Sequence, residues 1–327
     1  MRERNYTYAV ARIRSLETKL LDNAQIERLA NAATLSEALA YLGETEYGAM
    51  LANIKKPHQF EEALNQELNR VIRMVMSLSE DAPELMAFIY RYDIENIKKI
   101  LKSQSVTADK LSSLGRWAPD WLVETLTTER YGEFPSELAE AIIEARRLYK
   151  ETGDVQEIDR ILDQAYFGMG YRLLKEGISE LLLKWWIAMI DLTNLRTFVR
   201  MRLIGLPFNE YQRFFIEHGQ LTLDQFQDLW DQPDEKVLSW LGNTPYHPMT
   251  VEGAELLSSL TVLEREYDNY LTRMIAQAKY ISLGIEPLVG YLIAKEIECK
   301  TLRIILVGKV NNVSIIKLKE RLRRAYA

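Results

Sequence analysis

Tyr92-Asp93-Ile94-Glu95-Asn96-Ile97-Lys98 is the stretch on which the reading of this chain turns. It returns as Ile190-Asp191-Leu192-Thr193-Asn194-Leu195-Arg196 and, more faintly, as Ile297-Glu298-Cys299-Lys300-Thr301-Leu302-Arg303. An acid, an apolar residue, a polar pair, an apolar residue and a base keep their order each time. A second block behaves the same way. Tyr41-Leu42-Gly43-Glu44-Thr45-Glu46-Tyr47 matches Trp240-Leu241-Gly242-Asn243-Thr244-Pro245-Tyr246, with a decayed copy at Thr125-Leu126-Thr127-Thr128-Glu129-Arg130-Tyr131. Two blocks recurring three times in one order imply three copies of a unit of roughly 100 residues, preceded by an extra N-terminal helix. The expected domains are 1–106, 107–206 and 207–327, the last closing in a basic C-terminal helix.

The units read as helical. Apolar residues recur at 3-4-3 spacing with Glu, Lys, Arg and Gln between them, and Gly (15) and Pro (9) are scarce in 327 residues. Phe60 to Leu78 puts Leu64, Leu68, Val71, Val75 and Leu78 on one stripe, and Leu256 to Ile281 does so with Leu260, Leu263, Tyr267, Leu271, Met274 and Ala278. Asp81, Pro83 and Glu84 supply a cap, a first-turn proline and a capping-box acid for a helix running to about Ser103. The fold class is therefore all-α.

On these helices the repeated acid falls inside an apolar row: Ile89, Asp93, Asn96 and Ile100; Ile187, Asp191, Asn194 and Phe198; Ala294, Glu298, Thr301 and Ile305. Two readings stay open. Each acid accepts hydrogen bonds from a neighbouring helix end or turn, or the three form a ring of charge toward a partner or ion. The bases Lys98, Arg196 and Arg303 fall on another face, solvated or partner-facing.

Composition excludes several functions. Forty-one Lys+Arg against 47 Asp+Glu give a net charge of −6, so nothing draws the whole molecule to nucleic acid. The one cysteine, Cys299, cannot form an intrachain disulfide, and the polar opening of residues 1–15 lacks a signal-peptide core, so a reducing cytoplasmic setting is expected. Leu181 to Leu192 is the most apolar stretch, and Lys184 interrupts it, so no segment is expected to cross a membrane. Gly308-Lys309 lacks the spacing of a phosphate loop. His58, His218 and His247 are isolated and carry no metal spacing. No catalytic, cofactor or metal residues are expected. Gly168-Met169-Gly170 reads as a bend or a close helix contact, and Trp185, Trp186 and Trp240 as core.

Charge is also uneven along the chain. Lys309, Lys317, Lys319, Arg321, Arg323 and Arg324 face only Glu320 in the last 19 residues, whereas residues 222–268 hold ten acids and two bases. The tail is either a solvated helix end whose cations complement its dipole or an attachment point for an acidic partner or membrane surface.

The ordered copies, the opening Tyr8-Ala9-Val10-Ala11-Arg12-Ile13-Arg14 with Lys19-Leu20-Leu21, and the Tyr-Leu-Gly-x-Thr-x-Tyr and Asp-x-x-Asn-x-base blocks together resemble one family. It is the C subunit of archaeal and bacterial V-type (A-type) ATPases, equivalent to the d subunit of the eukaryotic vacuolar enzyme. The chain departs from the pattern at Thr127, in place of the block's Gly, and at Thr301, in place of Asn. The resemblance implies three similar helical domains in a pseudo-threefold funnel. It implies a non-catalytic socket in the central stalk that joins rotor shaft subunits to the cytoplasmic loops of the membrane rotor ring and transmits torque for ATP-coupled proton or sodium transport. It further implies a peripheral subunit on the cytoplasmic face, one copy per complex, without cofactor. Competing readings are a soluble all-helical adaptor, which would need an open groove and no ring partner, and an all-helical enzyme, which would need polar groups converging in one pocket.

Overall fold

The computed structural model describes residues 6–52, 59–79, 82–103 and 106–327, and these contain helices and turns but no strand. In chain order the helices are α1 Thr7–Glu17, α2 Asn23–Asn31, α3 Leu35–Gly43, α4 Gly48–Leu51, α5 Phe60–Leu78, α6 Pro83–Lys102, α7 Pro119–Thr127, α8 Ser136–Thr152 and α9 Gln156–Glu176. They continue with α10 Glu180–Leu203, α11 Phe208–Phe214, α12 Leu223–Leu229, α13 Asp234–Leu241, α14 Glu255–Ser258, α15 Leu260–Ile275, α16 Glu286–Val310 and α17 Ile315–Lys319. By packing, the chain divides into two compact units, one made of residues 1–81 with 231–327, the other of residues 82–230.

In the first unit α16 is the central element. Leu288, Leu292, Leu302 and Ile305 are buried along it, and α5 presents Val71, Ile72 and Val75 to the same core. The stripe expected for 60–78 is thus the buried face of α5. The expected 256–281 helix is interrupted. Ser259 takes an extended conformation and caps α15 by accepting from Val262 N, and after Ile275 the chain tightens into a 3₁₀ turn. The final basic segment is helical only over α17; residues 322–327 run without regular structure, where a longer basic helix was expected.

In the second unit α9 packs between α6 and α8. Gly153, at φ +72°, ends α8 in the left-handed conformation that glycine adopts without steric cost, and its N–H reaches Tyr149 O, so the chain can reverse into α9. Trp185 and Trp186 are core, as expected, with Phe88 at 5.5 and 5.6 Å and Trp186 Nε1 donating to Phe167 O at 3.0 Å. Trp240, in the other unit, is half-buried. α6 starts at Pro83; the expected cap Asp81 lies outside the described residues, as does His58.

Gly168 and Gly170 sit inside the unbroken α9, so the glycine pair makes no bend; it makes a close contact. A Cβ on Gly170 would lie 1.9 Å from Trp186 Cζ2, whereas one on Gly168 would meet nothing within 4 Å. Gly170→Ala is therefore expected to cost at least about 1–3 kcal/mol by overpacking. Gly168→Ala should stabilise by about 0.5–1 kcal/mol, because a helical glycine gives up more backbone entropy than alanine. Urea denaturation of both variants checks the pair, and equal effects would refute the contact.

Candidate functional site

The environment of the repeated polar positions decides what they can do. Asp93 lies fully buried on α6, where its Oδ2 accepts from Arg116 N at 2.8 Å and its Oδ1 from Trp117 N at 3.2 Å. One turn on, Asn96 grips both backbone groups of one residue: Nδ2 donates to Ser112 O and Oδ1 accepts from Ser112 N, each at 2.8 Å. Asp191 on α10 repeats the arrangement, accepting from Gln220 N at 3.0 Å and Leu221 N at 2.9 Å. Asn194 holds Ile216 through its O at 2.8 Å and its N at 2.9 Å. In both loops a glycine lets the backbone approach. A Cβ on Gly115 or Gly219 would stand 2.1 Å from the Oδ1 of Asp93 or Asp191.

The third copy uses a distant partner. Glu298 Oε2 on α16 accepts from Leu21 N at 2.6 Å, 277 residues earlier in the chain. Trp117, Leu221 and Leu21 each precede the N-cap of a short helix: Ala118 for α7, Thr222 for α12 and Asp22 for α2. Each repeated acid therefore caps the approach to a helix from outside, supplying a buried acceptor for N–H groups that would otherwise go unpaired. Thr301 does not replace the Asn; its Oγ1 donates to Ile297 O in its own helix at 2.9 Å.

The turn block folds alike in two copies. Thr45 Oγ1 donates to Leu42 O and accepts from Tyr47 N, and Thr244 does the same with Leu241 O and Tyr246 N. Tyr47 and Tyr246 are buried. In the decayed copy Tyr131 N instead bonds Glu129 O, with Glu129 at φ 56°, and its side chain is half-buried.

Around Glu298 lies a buried ionic network that the sequence reading missed. Lys295 Nζ is 2.6 Å from Glu298 Oε1 and 3.7 Å from Glu67 Oε1, and Tyr47 OH donates to Glu298 Oε1 at 2.7 Å. Burial works against the charged Lys295, and the carboxylate of Glu298, helped by Tyr291 and Glu67, more than reverses it, so its pKa stays above the ordinary value. Cys299, 3.4 Å from Tyr47 OH, is buried, and its thiol is pushed up to about 12 by that burial. The only sequence signal was a lysine three residues before the repeated acid, on the same helical face.

The repeated bases do not share one environment. Lys98 is buried between Glu95 at 2.9 Å and Asp163 at 2.6 Å, so it is neither solvated nor partner-facing. Arg303 Nε pairs with Glu61 at 2.8 Å, and Arg196 is half-buried. The tail cations also separate. Lys317, Lys319, Arg321 and Arg324 are exposed, while Arg323 is buried with its Nε 2.8 Å from Asp268 Oδ2. Arg323 is thus engaged inside its unit and does not join the surface cations. Beyond it the chain is tied down by Arg324 N to Asn269, Ala325 N to Asn23 and Tyr326 OH to Glu17.

Among the described residues no group of three or more His, Cys, Asp or Glu is placed to hold a metal, and no helix is long and apolar enough to cross a membrane. What the geometry offers within each unit is packed helices with buried clamps. The family described as ATP synthase (C/AC39) subunit matches residues 9–321. The chain belongs to this family. It is similar to the C subunit of the A-type ATP synthase of Methanocaldococcus jannaschii, with 27% identity over 94% of this chain and 84% of that protein. The C subunit of the V-type sodium ATPase of Enterococcus hirae is 28% identical over 96% and 97%. The C subunit of the A-type ATP synthase of Methanosarcina acetivorans is 26% identical over 97% and 92%. As a member of the C/AC39 family the chain is a non-catalytic subunit of a rotary ATPase, in keeping with the resemblance drawn from its repeats.

Proposed function

We propose that this C/AC39 family member is the socket of the central stalk, joining the rotor shaft to the membrane rotor ring and passing torque between them. The family match over residues 9–321 carries the reading. The clamps at Asp93, Asp191 and Glu298 support the further proposal of three equivalent helical units, divided at 106 and 206 and set around a pseudo-threefold axis as a funnel. A torque coupler needs stiffness, and a close-packed helical core in which approaching helices are fixed by buried carboxylates yields little under load. The proposed partners are the shaft subunits and the cytoplasmic loops of the ring, with one copy per complex on the cytoplasmic face. Copurification tests the assignment. Detergent extracts of native membranes are expected to yield this chain with both head and ring subunits, whereas recovery without them would favour a free helical adaptor.

A further inference from the structure

The second unit carries a surface groove of about 630 Å³ between α8 and α9 that none of the clamps uses. Its floor is made of small or buried residues, Ala141 from α8 and Ala165, Gly168 and Met169 from α9. Its two rims carry opposite charge. Along α8 stand Glu137, Glu140 and Glu144, spaced so that all three lie on one helical edge. Along α9 stand Arg172 and Lys175, continued by His218.

Part of this charge is engaged internally. Arg172 reaches Glu137, and Glu144 pairs with Arg147. Glu140 and Lys175 form no ion pair among the described residues; Lys175 instead lies over the Tyr171 ring, 5.4 Å from its centroid. His218 stacks on the same ring, centroids 4.4 Å apart and 7° from parallel. It belongs to the loop that Asp191 and Asn194 clamp, so the repeated acid fixes one end of the groove.

We infer that this groove is the docking site of a single α-helix of a partner protein, basic along the edge that meets Glu140 and acidic along the edge that meets Lys175. Length fits: on α9 the lining runs from Ile161 to Gly168, beyond the Arg172–Glu137 pair that joins the two rims at one end, a stretch of about 10 Å that matches a two-turn contact of a guest helix. Depth fits as well, because alanine and glycine on the floor let a guest backbone approach with small or medium apolar side chains between. A small molecule fits poorly, since the polar groups run along two rims and do not converge. Rims of opposite sign also fix the direction in which a helix lies, because a reversed guest would set like charges together.

Ala165→Cys places a thiol on the floor. The native Cys299 is buried and contributes little background at neutral pH. The variant is labelled with a small maleimide in two samples, the purified full chain and the assembly extracted from native membranes. Labelling of the assembled form is expected to be at least tenfold slower, and Glu140→Lys or Lys175→Glu should each restore most of the rate while leaving the melting curve of the purified chain unchanged. A benzophenone attached at Glu140→Cys should then cross-link to a helix of a different protein, at a segment bearing Lys or Arg.

Equal labelling in the two samples overturns the inference, as does a cross-link to lipid, to a second copy of this chain or to a non-helical loop. The inference does not depend on the socket assignment. A protected thiol in an assembly without ATPase subunits would sink the socket and leave the groove standing, and an open thiol in an assembled ATPase would do the reverse.

Discussion

Membranes from cells lacking this chain are expected to release a soluble head that still hydrolyses ATP, while ATP-driven ion pumping falls to background. Hydrolysis is carried by other subunits, whereas on the proposed socket role pumping needs a continuous rotor, and without this chain the shaft would have nothing firm to turn. Hydrolysis is read in the soluble fraction and pumping in sealed vesicles, before and after the chain is supplied again. Restored pumping on re-addition is the expected result. Normal pumping in its complete absence would sink the socket role. A finer form of the test replaces Lys317, Lys319 and Arg321 by Glu and leaves Arg323 in place, because Arg323 is bound to Asp268 and its reversal would unfold the tail instead of probing its surface.

Lys295→Met is expected to be strongly destabilising. Lys295, Glu67 and Glu298 are each more than nine-tenths buried, and the lysine is the cation placed between the two carboxylates. Glu67 keeps its two-point pair with Arg70, so removing the lysine orphans the Glu298 carboxylate, which retains only the hydrogen bonds from Tyr47 and Leu21, a loss of roughly 3–5 kcal/mol. That is a large share of the ~5–15 kcal/mol that holds a typical protein folded. Stability should also depend on pH. In the native chain Lys295 has a raised folded pKa, so its contribution is fully present below the lysine's unfolded pKa and is lost only as pH climbs through the folded value. Denaturant melts at several pH values check both points. Lys184→Met, which removes an exposed pair with Glu180, should leave the melt unchanged and serves as the control. A Lys295→Met chain as stable as the native one at pH 7 would show that the network is not ionic.

Some of this was legible from the residues alone. Helix formation depends on neighbours three and four positions away, so the stripe on 60–78 marked α5 and the repeated Asp and Asn marked one face of α6 and α10. The order of the blocks also pointed to the family, since order survives substitutions that erase any one motif. Other features needed the folded chain. Nothing in the sequence near Glu298 says that its acceptor serves Leu21 at the far end, because that contact depends on α16 and the N-terminal segment meeting in one unit.

The charged residues divide for the same reason. Arg321, Arg323 and Arg324 read alike in sequence, yet Arg323 is buried against Asp268 while its neighbours face water. Lys98 reads as a surface base and is enclosed by Asp163, 65 residues away. By itself the sequence determined that the chain is helical, where long helices such as α5 and α6 run and which of their faces are apolar, because backbone hydrogen bonding and side-chain spacing are local; it did not determine the break at Ser259 or the short reach of α17. The tertiary structure alone decided which charges are paired, which tail residues are free and where a groove opens, because burial is set by what other elements bring against a side chain.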